Sequence, residues 1–148
     1  LGAGGSARAV VASLAEQGAR EIRLNNRTFE RAQALADEFG PPLKAYRWDE
    51  RSDALDGAAT LVNSTNQGMT GKPALEVDLS ELPVTAIVGD LIYTPPETPL
   101  LAAARERGNT TVNGLGLLLN QARPAFKAWF GIMPEITPQL VQAIEATF

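Results

Sequence analysis

Gly2-Ala3-Gly4-Gly5-Ser6-Ala7, at the very start of the chain, is the stretch whose reading decides the fold. It fits the pattern G-x-G-x-x-G/A, with Ala7 in the third position. In such a turn Gly2 permits the sharp bend, and Gly4 lets the backbone come close to a pyrophosphate. A small residue at position 7 lets the following helix pack tightly on a sheet. Phosphates placed there meet open N–H groups and the positive end of the helix dipole. The helix itself is predicted over residues 7–17, stopped by Gly18.

Outward from the turn, strands and helices alternate. Residues 21–25 read as a strand with Ile22 and Leu24 on one face. Thr28 is placed to cap a helix in which Ala32, Leu35, Ala36 and Phe39 recur at helical spacing, ended by Gly40-Pro41-Pro42. Further strands are predicted over 43–48, 59–63, 85–91 and 110–112, with a weak helical turn at 49–55 and a helix over 99–107. Residues 64–73 form a polar loop, and 94–99 hold three prolines. This alternation predicts an α/β fold with a doubly wound, Rossmann-like parallel sheet. A glycine turn normally follows a complete strand, so with Leu1 alone before it an upstream portion is expected to be missing.

The end of the chain is of another kind. Leu115, Leu118, Leu119, Ala122, Phe126, Trp129 and Phe130 make a helical stripe in which Pro124 predicts a kink or two abutting helices. Thr137-Pro138 then starts a last helix carrying Leu140, Val141, Ile144 and Phe148 on one face.

The bulk numbers remove several classes of function. The 148 residues suffice for one compact domain with a real core. A net charge of −4 argues against a nucleic-acid binder, which presents a basic surface. Without Cys or His there is no disulfide, thiol nucleophile or imidazole base, and zinc loses its preferred ligands, so no metal site is expected. No apolar run is long enough to span a membrane, and a cytoplasmic location is expected. A P-loop string is absent as well, which disfavours an ATPase.

The choice of nucleotide is read at the end of the second strand, roughly 20 residues past the turn. An NAD enzyme usually holds the ribose 2′-hydroxyl there with Asp or Glu; this chain has Asn25-Asn26-Arg27-Thr28. A carboxylate would repel a 2′-phosphate, whereas Arg27 offers it a two-pronged donor. Arg31 lies one helical turn on, and Asn26 and the Thr28 hydroxyl complete a possible cradle; the alternative is a capped, solvated helix start. The residues favour NADP.

Gly-Ala-Gly-Gly-Ser-Ala-Arg followed by Asn-Arg-Thr resembles the shikimate dehydrogenase family. So do Asn63-Ser64-Thr65-Asn66-Gln67-Gly68-Met69, Asp90-Leu91-Ile92-Tyr93, and Asn113-Gly114-Leu115-Gly116 with Gln121. The ordered set spans essentially the whole chain. The resemblance implies that Gly2, Ala3, Gly4, Gly5 and Ser6 meet the pyrophosphate, and that Asn26, Arg27, Thr28 and Arg31 hold the adenosine ribose phosphate. It further implies that Thr65 and Leu91 line the path to the nicotinamide, that the Gly114 backbone touches its amide, and that Tyr93 and Gln121 face shikimate. Read without the resemblance, Tyr93 is a strand-end aromatic, Gln121 the polar edge of a stripe and Leu91 plain core.

The implied reaction is reversible hydride transfer between NADP(H) and the 3-dehydroshikimate/shikimate pair, a step toward aromatic amino acids. The family's Lys and Asp belong to an N-terminal substrate domain, and no residue here is nominated as catalytic. The resemblance also places a boundary at residue 113, with 1–113 binding the cofactor and 114–148 returning to the absent substrate domain. Three other readings are open: an NAD-dependent quinate/shikimate dehydrogenase, a non-catalytic NADP-binding module, and glutamyl-tRNA reductase, which shares the Asn-Arg-Thr string but not the 114–121 segment.

Overall fold

The computed structural model describes residues 1–147. Its helices are α1 (Gly5–Glu16), α2 (Phe29–Phe39), α3 (Pro99–Glu106), α4 (Leu115–Phe130) and α5 (Pro138–Glu145). Its strands are β1 (Ile22–Asn25), β2 (Leu43–Tyr46), β3 (Thr60–Asn63), β4 (Ile87–Asp90) and β5 (Thr110–Val112). Two short 3-10 turns, Trp48–Glu50 and Asp53–Leu55, occupy the weak helical region. All strand pairs are parallel, as helical crossovers require. Phe148, expected on the α5 face, lies outside the described residues.

The parallel arrangement comes as two sheets, β1–β2 and β3–β4–β5. Leu1 and Gly2 bridge them: the Leu1 amine donates to the Val62 carbonyl at 2.7 Å, Ser64 N–H to the Leu1 carbonyl at 2.9 Å, and Gly2 N–H to the Asn25 carbonyl at 2.8 Å. The glycine turn therefore sits between β1 and β3, at the carboxyl ends of both. A cavity of about 610 Å³ lies beside it, lined by Val11, Ile22, Leu24, Leu61 and Val62 among others.

Each sheet has its own apolar packing. Val11, Ile22, Leu24, Ala32, Leu35, Ala36 and Leu43 join α1 and α2 to β1 and β2. Leu61, Val88, Leu100, Leu101 and Ala104 join α3 to β3 and β4, closed by Leu75, Leu79 and Leu82 from the irregular stretch before β4. The alternation of Ile22 and Leu24 inward with Arg23 between them is the period-two signature of a strand.

Three expectations need correction. The first helix begins at Gly5 rather than at residue 7, because first-turn residues need no intrahelical acceptor and glycine there costs little. Thr28 occupies the N-cap of α2, but its hydroxyl makes no capping bond. At Pro124 the structure has one continuous helix, α4, and not two abutting ones, on an exposed stretch where water can satisfy the carbonyl that proline leaves without a donor. Thr137, by contrast, caps α5 as its sequence predicts, accepting from Leu140 N–H at 3.2 Å. No helix among the described residues is long and apolar enough to cross a membrane.

Candidate functional site

The turn that opens the chain is shaped by close approach. Gly2 has φ +100°, and a Cβ there would stand 2.8 Å from the Ser64 Oγ and 3.1 Å from the Thr65 Cγ2. Neither an L side chain's conformation nor its volume suits that position. Gly4 and Gly5 are different, for a Cβ on either meets nothing within 4 Å. Their bare backbone therefore borders open space at the start of α1. Gly4 is the N-cap, no side chain caps the helix, and its first turn carries no acid. The first-turn amides of α1 thus have no intrahelical acceptor and point where an anion is favoured.

Asn26 ties this turn to the next loop. Its Oδ1 accepts from Ala3 N–H at 3.1 Å, and its Nδ2 donates to the Thr28 carbonyl at 2.7 Å. The Asn26 amide and the Ala3 N–H are thereby engaged within the protein, so both shape the cradle from behind. Arg27 and Arg31 contrast with them: both are exposed, and neither guanidinium makes a hydrogen bond or ion pair with a described residue. Arg8, the other arginine near the turn, is paired with Glu38 of α2. Two uncommitted cations, the uncapped Thr28 hydroxyl and the start of α2 form one polar, positive corner. The residues fit a dinucleotide carrying an additional phosphate on its ribose.

The other wall is built on a polar cluster whose hydrogen bonds the sequence does not reveal. Asn63 and Asp90 are register partners at the carboxyl ends of β3 and β4, and both are buried. Asn63 Nδ2 donates to Asp90 Oδ1 at 3.0 Å and to the Gln67 carbonyl at 3.1 Å. Its Oδ1 accepts from the Thr65 N–H at 3.0 Å and the Thr65 hydroxyl at 2.7 Å. Asp90 also accepts from Ile92 N–H at 3.1 Å and from the buried Thr98 hydroxyl at 2.7 Å. Every hydrogen-bonding valence of the Asn63 amide is used, so the Thr65 loop and the segment bearing Leu91 and Tyr93 are held in fixed relation. The available signal was that both apolar strands end in an amide or carboxyl residue; their alignment is long-range and had to be seen.

Gly114 belongs to that wall for a steric reason. A Cβ there would fall 2.1 Å from the Leu91 carbonyl oxygen, and its N–H donates to the Ile92 carbonyl at 2.9 Å. The N–H is thus already engaged, and what Gly114 contributes is the seating of α4 against Leu91. Tyr93 is 39% exposed beyond this contact. Gln121 is exposed on α4, about two turns further along. The structure thus gathers the glycine turn with Asn26 and Thr28, and Thr65 with the segment that carries Leu91, Tyr93 and Gly114. Among the described residues no group of acids could hold a metal ion.

Parallel strands with flanking helices and a glycine turn at their carboxyl ends define a Rossmann-like nucleotide-binding fold. Residues 1–75 match the family described as Shikimate / quinate 5-dehydrogenase. The shikimate dehydrogenase (NADP(+)) of Paramagnetospirillum magneticum is 54% identical over 140 residues, 95% of this chain and 51% of that protein. Quinate dehydrogenase from Corynebacterium glutamicum in complex with NAD superposes with a TM-score of 0.84 at 34% identity, covering 99% of this chain and 52% of that one. Shikimate 5-dehydrogenase from Thermus thermophilus, in complex with NADP(H) and shikimate, gives 0.81 at 34% identity, with 99% and 52% covered. The chain belongs to the shikimate/quinate dehydrogenase family. It spans about half the length of the curated relatives it matches.

Proposed function

We propose that this chain carries the NADP site of a shikimate dehydrogenase, an enzyme that transfers hydride reversibly between NADP(H) and 3-dehydroshikimate/shikimate. One observation carries the reading: neither Arg27 nor Arg31 pairs with another described residue, both stand at the start of α2, which no side chain caps, and the strand end holds Asn25-Asn26 where an acid would repel a 2′-phosphate. The pyrophosphate lies over the bare backbone at Gly4, Gly5 and Ser6, with Gly2 and Ala3 shaping the turn. Arg27, Arg31 and the Thr28 hydroxyl take the adenosine ribose phosphate, and Asn26 holds that loop to the turn. Bound there, the cofactor supplies the hydride. Thr65, Leu91 and Gly114 form the wall toward the nicotinamide end, while Tyr93 and Gln121 face the substrate.

The acid and base for the carbonyl oxygen come from a substrate domain outside these 148 residues. Residues 1–113 form the cofactor domain, and 114–148 pack on that substrate domain. The half-length coverage of relatives and the exposed Phe126, Trp129, Phe130 and Ile132 support this division. The complete enzyme works in the cytoplasm.

Arg27→Ala tests the assignment. Losing a charge-assisted, two-pronged contact should weaken NADP about 10- to 100-fold and leave NAD nearly unchanged. Isothermal titration of both nucleotides reads this directly, and equal weakening of the two would remove the 2′-phosphate role. Structural likeness to the NAD-bound quinate dehydrogenase favours a second reading, a quinate/shikimate enzyme that uses NAD. Tighter binding of NAD than NADP by the unaltered chain would select it.

A further inference from the structure

We infer that Arg47 is a third cation of the adenosine-phosphate corner, supplied by the neighbouring strand and acting as a determinant of NADP over NAD. The inference rests on the nucleotide reading above and adds to it a residue that no family string contains.

The register places it. Asn25 and Tyr46 are partners in the β1–β2 pair, so the residues that follow each, Asn26 and Arg47, leave the carboxyl edge side by side. The Asn25 side chain locks this exit by donating to the Arg47 carbonyl at 2.9 Å, and Asn25 is only 2% exposed. The Arg47 main chain is therefore fixed next to the loop that bears Arg27. Its side chain reaches across to α2: the guanidinium carbon lies 6.0 Å from the centroid of the Phe29 ring, over the first residue of that helix. The Arg47 charge thus sits at the same helix start as Arg27 and Arg31, approached from the opposite strand.

Its present commitments are weak. The Arg47 Nε lies 3.5 Å from Asp49 Oδ1, in a pair whose side chains are 67% and 78% exposed. Exposed pairs of that kind contribute little and are readily exchanged. A phosphate monoester offers more charge and a geometry that a planar guanidinium matches with two parallel bonds. Held over Phe29, the guanidinium plane is also suited to lie against a purine, since arginine stacks on flat π systems. The ligand class is a 2′-phosphorylated adenosine.

The test is a four-protein titration of the 148-residue chain with NADP, NAD and 2′,5′-ADP: unaltered, Arg27→Ala, Arg47→Ala and Arg47→Lys. The Asn25 bond goes to the main chain, so the substitutions keep it, and circular dichroism confirms that each variant folds. Arg47→Ala should weaken NADP and 2′,5′-ADP about 5- to 30-fold, with NAD changed less than about twofold, and Arg47→Lys should recover part of the loss. Unchanged NADP affinity in Arg47→Ala, or equal loss for NADP and NAD, overturns the inference. If Arg27→Ala is selective for NADP while Arg47→Ala is not, the role of Arg47 fails and the nucleotide reading stands. If neither variant discriminates, or the unaltered chain binds no NADP, both fail.

Discussion

The chain treats its apolar residues in two opposite ways. Around β3, β4 and α3, Val88 and Ala104 are 0% exposed and Leu101 2%, and each touches neighbours from other elements. Along α4 and α5 the same kinds of residue face outward: Trp129 is 77% exposed, Phe130 62%, and α5 buries nothing. Only Leu115 and Leu119, at the start of α4, are buried. Helical periodicity is equally clear in both regions, so periodicity predicts a helix and an apolar face but not what the face meets. In the first region the partners lie within the 148 residues; in the second, under the proposal above, they lie in the substrate domain.

Gly114 joins the two regions, and breaking it should have the largest effect. Gly114→Ala forces a methyl into the Leu91 carbonyl, 2.1 Å away, with backbone on both sides. A loss of about 4 kcal/mol or more is expected, or outright failure to fold, measured by urea unfolding. Leu101→Ala comes next. It leaves a hole in a closed core and should cost about 2–5 kcal/mol in the same assay.

Least of all, Trp129→Ala should change the stability of the chain by less than about 0.5 kcal/mol, since its ring touches mostly water. A loss as large as that of Leu101→Ala would erase the contrast between the regions.

Local chemistry made much of the fold legible. Gly18, Gly40 and Gly108 closed helices where expected, and the short apolar runs at Ile22–Asn25, Thr60–Asn63 and Ile87–Asp90 became strands. The glycine turn was legible because its geometry needs glycine at a fixed place, and the proposed role of Arg27 rests on its place at the strand end about 20 residues further on. The Asn63–Asp90–Thr98 bonds were not, because two of their members meet only through strand register. Whether Pro124 divides its helix was not legible, because its cost depends on whether water reaches the helix, which is a property of the surroundings and not of the proline. Arg47 went unnoticed for a similar reason: its neighbours in space come from another strand.

The most direct test of the account is the ratio of NADP to NAD dissociation constants for the unaltered 148-residue chain, measured by titration calorimetry in low-salt buffer. The account predicts that NADP binds at least about tenfold more tightly, the worth of one good charge-assisted contact to the 2′-phosphate. Equal affinities, or a preference for NAD, would contradict it.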